Sequence, residues 1–267
     1  MQLTGRTILI TGGSSGIGLE MAKQLIALGN TVIITGRDRA RLDAAKAKIP
    51  GVHLIQSDAS SPAAITELVG AVTREFPALD ILVNNAGIMR RTNFNVPDDD
   101  LAGFTKEIEI NLMGPIRLVK ALLPHLKSKP SAAIVNVSSG LAFVPLPISP
   151  IYCATKAGLH SFTQSLRFQL KKTKITVFEV APPATETPLL SAEFARDLKD
   201  VKLMPVADMV KASLAGMRKG TLEICPGQSG GLRFMNRVAP GFILGQLGKS
   251  IDGMLAESSP GRTGGAA

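Results

Sequence analysis

Short apolar runs rich in β-branched residues recur at 7–11, 31–35, 52–57, 80–83, 132–138, 175–180 and 222–225, with longer segments of helical period between them. Ile17, Met21, Leu25 and Leu28 share one helical face, 39–49 reads as a polar-faced helix, and Ile65, Leu68 and Val72 repeat a similar spacing within 62–76. The strand runs are too apolar to face water, so both sides of their sheet must be covered. Parallel strands joined by right-handed helical crossovers meet that demand. The expected fold is α/β: a doubly wound, parallel, seven-stranded sheet between two helical layers. Sheets of this kind bind ligands beyond the carboxyl ends of their strands. Two long segments, 140–150 and 182–205, leave such ends.

The 267 residues are 45% hydrophobic and 19% charged, which fits one large globular domain and is a poor match to disordered or coiled-coil chains. After Cys225 the composition turns Gly-rich, basic and apolar, so residues 1–226 are expected to form the catalytic domain and 227–267 a C-terminal extension, in part disordered. The formal charge is +9, but the basic residues are scattered, and with no Trp and one Tyr a nucleic-acid surface built on stacking has little to use. No nucleic-acid partner is expected; a diffuse positive surface suits an anionic cofactor. Cys153, Cys225, His53, His125 and His160 have no metal-ligand spacing, so no metal is expected. The start lacks the regions of a signal peptide and no apolar stretch is long enough to span a bilayer, which points to the cytoplasm. Phe234, Val238, Phe242, Ile243, Leu244 and Leu247 lie among Arg233, Arg237 and Lys249, leaving peripheral membrane contact through the tail as a lesser alternative.

The first strand run opens directly into Gly12-Gly13-Ser14-Ser15-Gly16-Ile17-Gly18 and a helix. Glycines at 12, 16 and 18 allow a sharp turn and let a pyrophosphate approach the helix N-terminus, where unpaired N–H groups favour anions. A dinucleotide is therefore the expected ligand. At the end of the second strand, where an acid would accept from the adenosine ribose, Gly36 stands instead and Arg37 offers a guanidinium to a 2′-phosphate. NADP is favoured over NAD; Asp38 either caps the next helix or reaches a ribose. Tyr152 and Lys156, four apart on a helix expected from 151 to about 171, project from one face. A neighbouring ammonium and an oxidised nicotinamide would favour the phenolate, equipping Tyr152 as a general acid/base.

Four motifs stand in order: the Gly12/Gly16/Gly18 turn, Asn84-Asn85-Ala86-Gly87, Ser139, and Tyr152-Cys153-Ala154-Thr155-Lys156. Over residues 4–226 the chain resembles the short-chain dehydrogenase/reductase family, and the text around Ser138–Phe143, Tyr152–Lys156 and Ala181-Pro182-Pro183 is similar to its DltE-type oxidoreductases. The resemblance implies a Rossmann-type domain that transfers a hydride between NADP(H) and a carbonyl or secondary alcohol. It favours Ser139 over Ser138 as donor to the substrate oxygen, and implies that Asn111 holds a water relaying protons to Lys156. Asp58 would accept from the adenine amino group; Asn85, Ala86 and Gly87 would line the adenosine ribose side. Ala184 and Thr187 would reach the nicotinamide carboxamide, although Pro183 replaces the family's usual glycine there. It also implies a homodimer or homotetramer, with 111–127 and 151–171 as interface candidates. Phe143, Val144, Leu146 and Ile148, with Leu189, Leu190 and Phe194, suggest an apolar pocket, with a purely structural packing role as the equal alternative. The competing reading is a non-catalytic dinucleotide-binding regulator or scaffold.

Overall fold

A computed structural model describes residues 1–96, 100–190, 194, 197, 199 and 201–257. Its seven strands are β1 (Thr7–Ile10), β2 (Thr31–Gly36), β3 (His53–Gln56), β4 (Leu79–Asn84), β5 (Ala132–Val137), β6 (Ile175–Val180) and β7 (Glu223–Ile224). All pair in parallel, in the order β3-β2-β1-β4-β5-β6-β7. The order reverses between β1 and β4, which opens a crevice at their carboxyl ends.

Helices α1 (Gly16–Ala27), α2 (Arg39–Lys48) and α7 (Val206–Lys219) cover one face; α3 (Pro62–Glu75), α5 (Gly114–Lys127) and α6 (Pro150–Leu170) cover the other. Strand alternation divides the core accordingly. Ile8 and Ile10 of β1 pack with Met21 and Leu25 of α1, whereas Leu9 faces the layer holding Leu118 and Leu122 of α5. Ser61 caps α3 by accepting from the Ala64 N–H, with Pro62 at the first helical position. The short α4 (Leu101–Ile108) runs into a π turn, Glu109–Met113, before α5 begins.

The C-terminal extension is largely ordered up to residue 257, as α8 (Gln228–Val238), α9 (Pro240–Gly248) and α10 (Ile251–Glu257). Residues 258–267, where part of the expected disorder falls, lie outside the described residues. Ser229 and Leu232 of α8 sit against Gly140, and Leu247, Ile251 and Met254 pack in a cluster with Tyr152. No described helix is long and apolar enough to cross a membrane.

Helix α7 ends on Gly220, whose φ of +77° lets its N–H close back onto the Gly216 carbonyl; nothing lies within 4 Å of where a Cβ would stand. Gly220→Ala therefore meets no clash and carries only the left-handed backbone penalty of about 1 kcal/mol. Thermal denaturation should show a melting point lower by roughly 2–4 °C.

Candidate active site

The crevice is built around the turn from β1 to α1. Gly12 and Gly16 take φ of +64° and +53°. A Cβ on Gly12 would lie 2.7 Å from Ala86 Cα, and one on Gly18 2.5 Å from both Asn85 Nδ2 and the Gly12 carbonyl, so the end of β4 packs directly on glycine backbone. Gly13, to which the motif assigns no role, is equally constrained: its Cβ would stand 2.5 Å from Ile34. Thr11 Oγ1 accepts from the N–H groups of Asn85 and Ala86, both at 3.0 Å, and Asn85 Nδ2 donates to the Thr11 and Gly12 carbonyls. The Asn85 side chain thus clasps the turn. Ser15 occupies the N-cap of α1 without its hydroxyl capping the helix, and the first turn carries no acidic residue.

At the adenosine end expected from sequence, Gly36 leaves 3.3 Å between its Cβ position and Ser14 Oγ, while Arg37 is exposed. Asp38 accepts from the Arg41 N–H at 3.1 Å and caps α2. Asp58 Oδ1 accepts from the Ser60 N–H and hydroxyl; those bonds, with Arg37 and Lys106 nearby, hold its carboxyl below the usual range.

Ser139, Tyr152 and Lys156 meet beyond the carboxyl end of β5. Ser139 caps the single turn Gly140–Ala142, its Oγ accepting from the Leu141 N–H at 3.1 Å. Tyr152 and Lys156 lie on successive turns of α6, with the Lys156 ammonium 5.6 Å from the centroid of the phenol ring. Lys156 Nζ donates to the Val137 carbonyl at 2.9 Å and stands 3.6 Å from the Cβ position of Gly87, which joins this group to the β4 end. Both side chains are buried. Burial raises the phenol above its ordinary value, outweighing the opposing Ser139 hydroxyl, so the chain's own groups do not produce the depressed phenol expected from sequence. Burial also pulls the Lys156 ammonium down to about 8, against the attraction of Glu179.

Asn111 sits inside the π turn, which the Gly114 N–H closes onto the Glu109 carbonyl. Its side chain accepts from the Ile88 N–H at 2.9 Å and donates to the Ile88 carbonyl and, at 3.2 Å, to Thr155 Oγ1. The Asn is therefore a brace between the β4 end and α6. Thr187 passes over the glycine turn, 3.3 Å from the Cβ position of Gly16, and the Ala184 carbonyl accepts from the Met204 N–H.

The apolar side of the site is assembled only in part as expected. Leu146, Ile148, Leu189 and Phe194 cluster with Tyr152, joined by Met89, Leu247, Ile251 and Met254. Phe143 instead turns its ring edge to His160, and Val144 and Leu190 do not join the cluster. Spacing along the chain carried no sign of Met89 or the tail residues, because they arrive from distant elements.

The short chain dehydrogenase family model matches residues 6–198. The chain belongs to this family. It is 44% identical over 239 residues, 89% of this chain and 94% of the relative, to an uncharacterized oxidoreductase DltE of Bacillus subtilis strain 168. Among solved structures, a short-chain dehydrogenase from Sphingobium yanoikuyae in complex with NADPH superposes with a TM-score of 0.75 at 30% identity, covering 98% of each chain. The 3-ketoacyl-(acyl-carrier-protein) reductase from Brucella melitensis complexed with NADH gives 0.76 at 30% identity, covering 85% of this chain and all of that one. The chain is thus an oxidoreductase of short-chain dehydrogenase type.

Removing the Asn111 brace strands the partly buried Ile88 N–H and loosens the π turn from α6. Asn111→Ala should cost about 2 kcal/mol and lower the melting temperature by roughly 4–8 °C, as read by calorimetry.

Proposed function

We propose that the protein reduces an apolar carbonyl, or oxidises the matching secondary alcohol, with NADP(H), and that Ser139, Tyr152, Lys156 and Asn111 form the catalytic set. The observation that carries this reading is the convergence of Tyr152, Lys156 and the Ser139 hydroxyl beside Gly87 and the glycine turn. The residues fit a dinucleotide: the N-terminus of α1 has no side-chain cap on its N–H groups, no acid stands in its first turn, and the crevice sits at the sheet's switch point. A bound nicotinamide dinucleotide supplies a hydride when reduced and accepts one when oxidised, adding a positive charge beside the phenol in the latter form.

Ser139 Oγ donates to the substrate oxygen and holds it at the phenol. In reduction, Tyr152 transfers its proton to that oxygen as the carbonyl carbon gains the hydride; in oxidation, the phenolate takes the hydroxyl proton. Lys156 stabilises the phenolate through space, and reprotonation reaches it from water. Because the Asn111 side chain is committed to Ile88 and Thr155, its share in a water path to Lys156 falls to the main chain of the π turn. Gly12, Ser14, Ser15, Gly16, Ile17 and Gly18 hold the phosphates, Asp58 the adenine, Asn85, Ala86 and Gly87 the ribose side, and Thr187 the nicotinamide. The cluster of Leu146, Ile148, Leu189, Phe194, Met89 and Met254 supports an apolar substrate.

NADP over NAD is supported by the Gly36-Arg37 pair and by the use of Asp38 as a cap. The solved relatives named above include one with NADPH and one with NADH, so the guanidinium carries the preference. A cytoplasmic homodimer or homotetramer completes the reading.

Tyr152→Phe keeps the ring and removes the proton donor. Turnover in a screen of ketones with NADPH should fall at least about 100-fold with the melting curve retained; a variant as active as the parent defeats the assignment. Arg37→Ser should weaken NADPH binding about 10- to 100-fold and leave NADH nearly untouched, measured by fluorescence titration. Dinucleotide binding without hydride transfer to any acceptor would favour the scaffold reading.

A further inference from the structure

One helical turn beyond Lys156, His160 meets a second charged group that the catalytic reading does not use. Strand β6 places Val177 and Glu179 toward α6 and Phe178 toward the opposite layer. Glu179 is fully buried. Its Oε1 accepts from Ser138 Oγ at 2.5 Å, and its two oxygens lie 3.0 and 2.9 Å from His160 Nδ1. His160 follows Lys156 by one helical turn, as Lys156 follows Tyr152, so phenol, ammonium and imidazole form one stripe along α6. The stripe continues to Gln164, whose Nε2 lies 3.0 Å from His160 Nε2, and the ring edge of Phe143 closes over the imidazole at 5.1 Å between centroids.

A carboxylate with this little access to water is strongly disfavoured without partners, and its field acts on its neighbours through protein rather than solvent. Glu179 meets three such neighbours. Hydrogen bonding to it raises the His160 imidazole above its ordinary value, and its charge works against the burial that lowers Lys156. Ser138, anchored on its carboxyl group and by its own N–H on the Val180 carbonyl, fixes the strand end from which Ser139 projects.

We propose that Glu179 and His160 are positioning residues for the Tyr152–Lys156 site: the buried carboxylate keeps the Lys156 ammonium charged, and the imidazole sets how much of that carboxylate's field Lys156 receives. When His160 is protonated, the pair is close to neutral and Lys156 gains little. When His160 gives up its proton, Glu179 acts on Lys156 alone. Other groups facing His160 are Glu223 on β7, which favours its protonation, and Arg167 on α6, which opposes it; Glu223 is itself paired with Arg233 of α8 at 2.8 Å. Around Lys156 stand the Val137 carbonyl, Gly87 and the Tyr152 ring. The inference rests on the proposed acid/base role of this lysine and tyrosine, but its electrostatic content does not depend on turnover.

The two residues should move Lys156 in opposite directions, which a merely structural contribution would not do. The test is NMR titration of protein labelled at the lysine Cε position, with the Lys156 signal assigned by its loss in Lys156→Met. In Glu179→Gln the Lys156 midpoint should fall by about one pH unit, and in His160→Gln it should rise. The alkaline limb of the ketone-reduction profile should follow the same two signs. Midpoints unchanged in both variants, or displaced the same way, overturn the proposal. If Glu179→Gln fails to fold, His160→Gln decides alone: an upward displacement supports the coupling, and no displacement or a downward one defeats it. A parent-like Tyr152→Phe would instead sink the catalytic reading while leaving the midpoints to be judged separately.

Stability carries a further signature. Because His160 titrates above its unfolded value, its pairing contributes fully below the ordinary imidazole range and is lost as pH rises through the folded value. The parent's melting temperature should therefore exceed that of His160→Gln by more at pH 5.5 than at pH 8.5, as read by calorimetry.

Discussion

Removal of water from the phenol of Tyr152 and the ammonium of Lys156 is the condition on which the site depends. In solvent both groups would titrate near their ordinary values, and water and dissolved ions would screen their charges from one another. Inside the protein each is governed by a few atoms: the Ser139 hydroxyl near the phenol, the Val137 carbonyl and Glu179 near the ammonium. The sheet supplies this seclusion. The end of strand β5 is tied to α6 where Lys156 donates to the Val137 carbonyl and Asn136 to Thr163, and the long connection after β6 brings Leu189 and Phe194 into the cluster with Tyr152.

The β1–α1 turn and the β4 end form a single unit. Thr11 and Asn85 exchange hydrogen bonds across the switch point, and glycine at 12 and 18 permits contact that any side chain would prevent. Gly87 and Asn111 extend that unit to Lys156 and α6. The glycine turn is thereby tied to Lys156 and α6 through backbone, π turn and two short side chains.

Local patterns made the seven strands, the helical crossovers, the glycine turn and the Tyr–Lys face legible, because each depends on residues close in sequence. The β4 run and the 151–171 helix differ from their structural counterparts by only a residue or so at each end. What stayed hidden depends on register between distant elements. The run 175–180 reads as a strand, but only its pairing with β5 and its packing under α6 bring Glu179 to Ser138 and His160. Likewise the proline-rich rim was legible as apolar, yet the side to which Phe143 turns is decided by His160. The fall of the phenol's titration is expected from Lys156 together with an oxidised nicotinamide; among the chain's own groups burial raises it, and burial is a quantity that sequence spacing does not carry.

The wall formed by Leu247, Ile251 and Met254 lies beyond the last strand in chain order. The sheet, the glycine turn and the Tyr–Lys helix are all complete in chain order before that wall begins. On the proposed reading, a polypeptide cut short after β7 would keep the residues assigned to the nucleotide and lose Leu247, Ile251 and Met254 from the apolar cluster around Tyr152. Variation in those final helices would, on the same reading, retune selectivity while leaving the sheet, the glycine turn and the Tyr–Lys face in place.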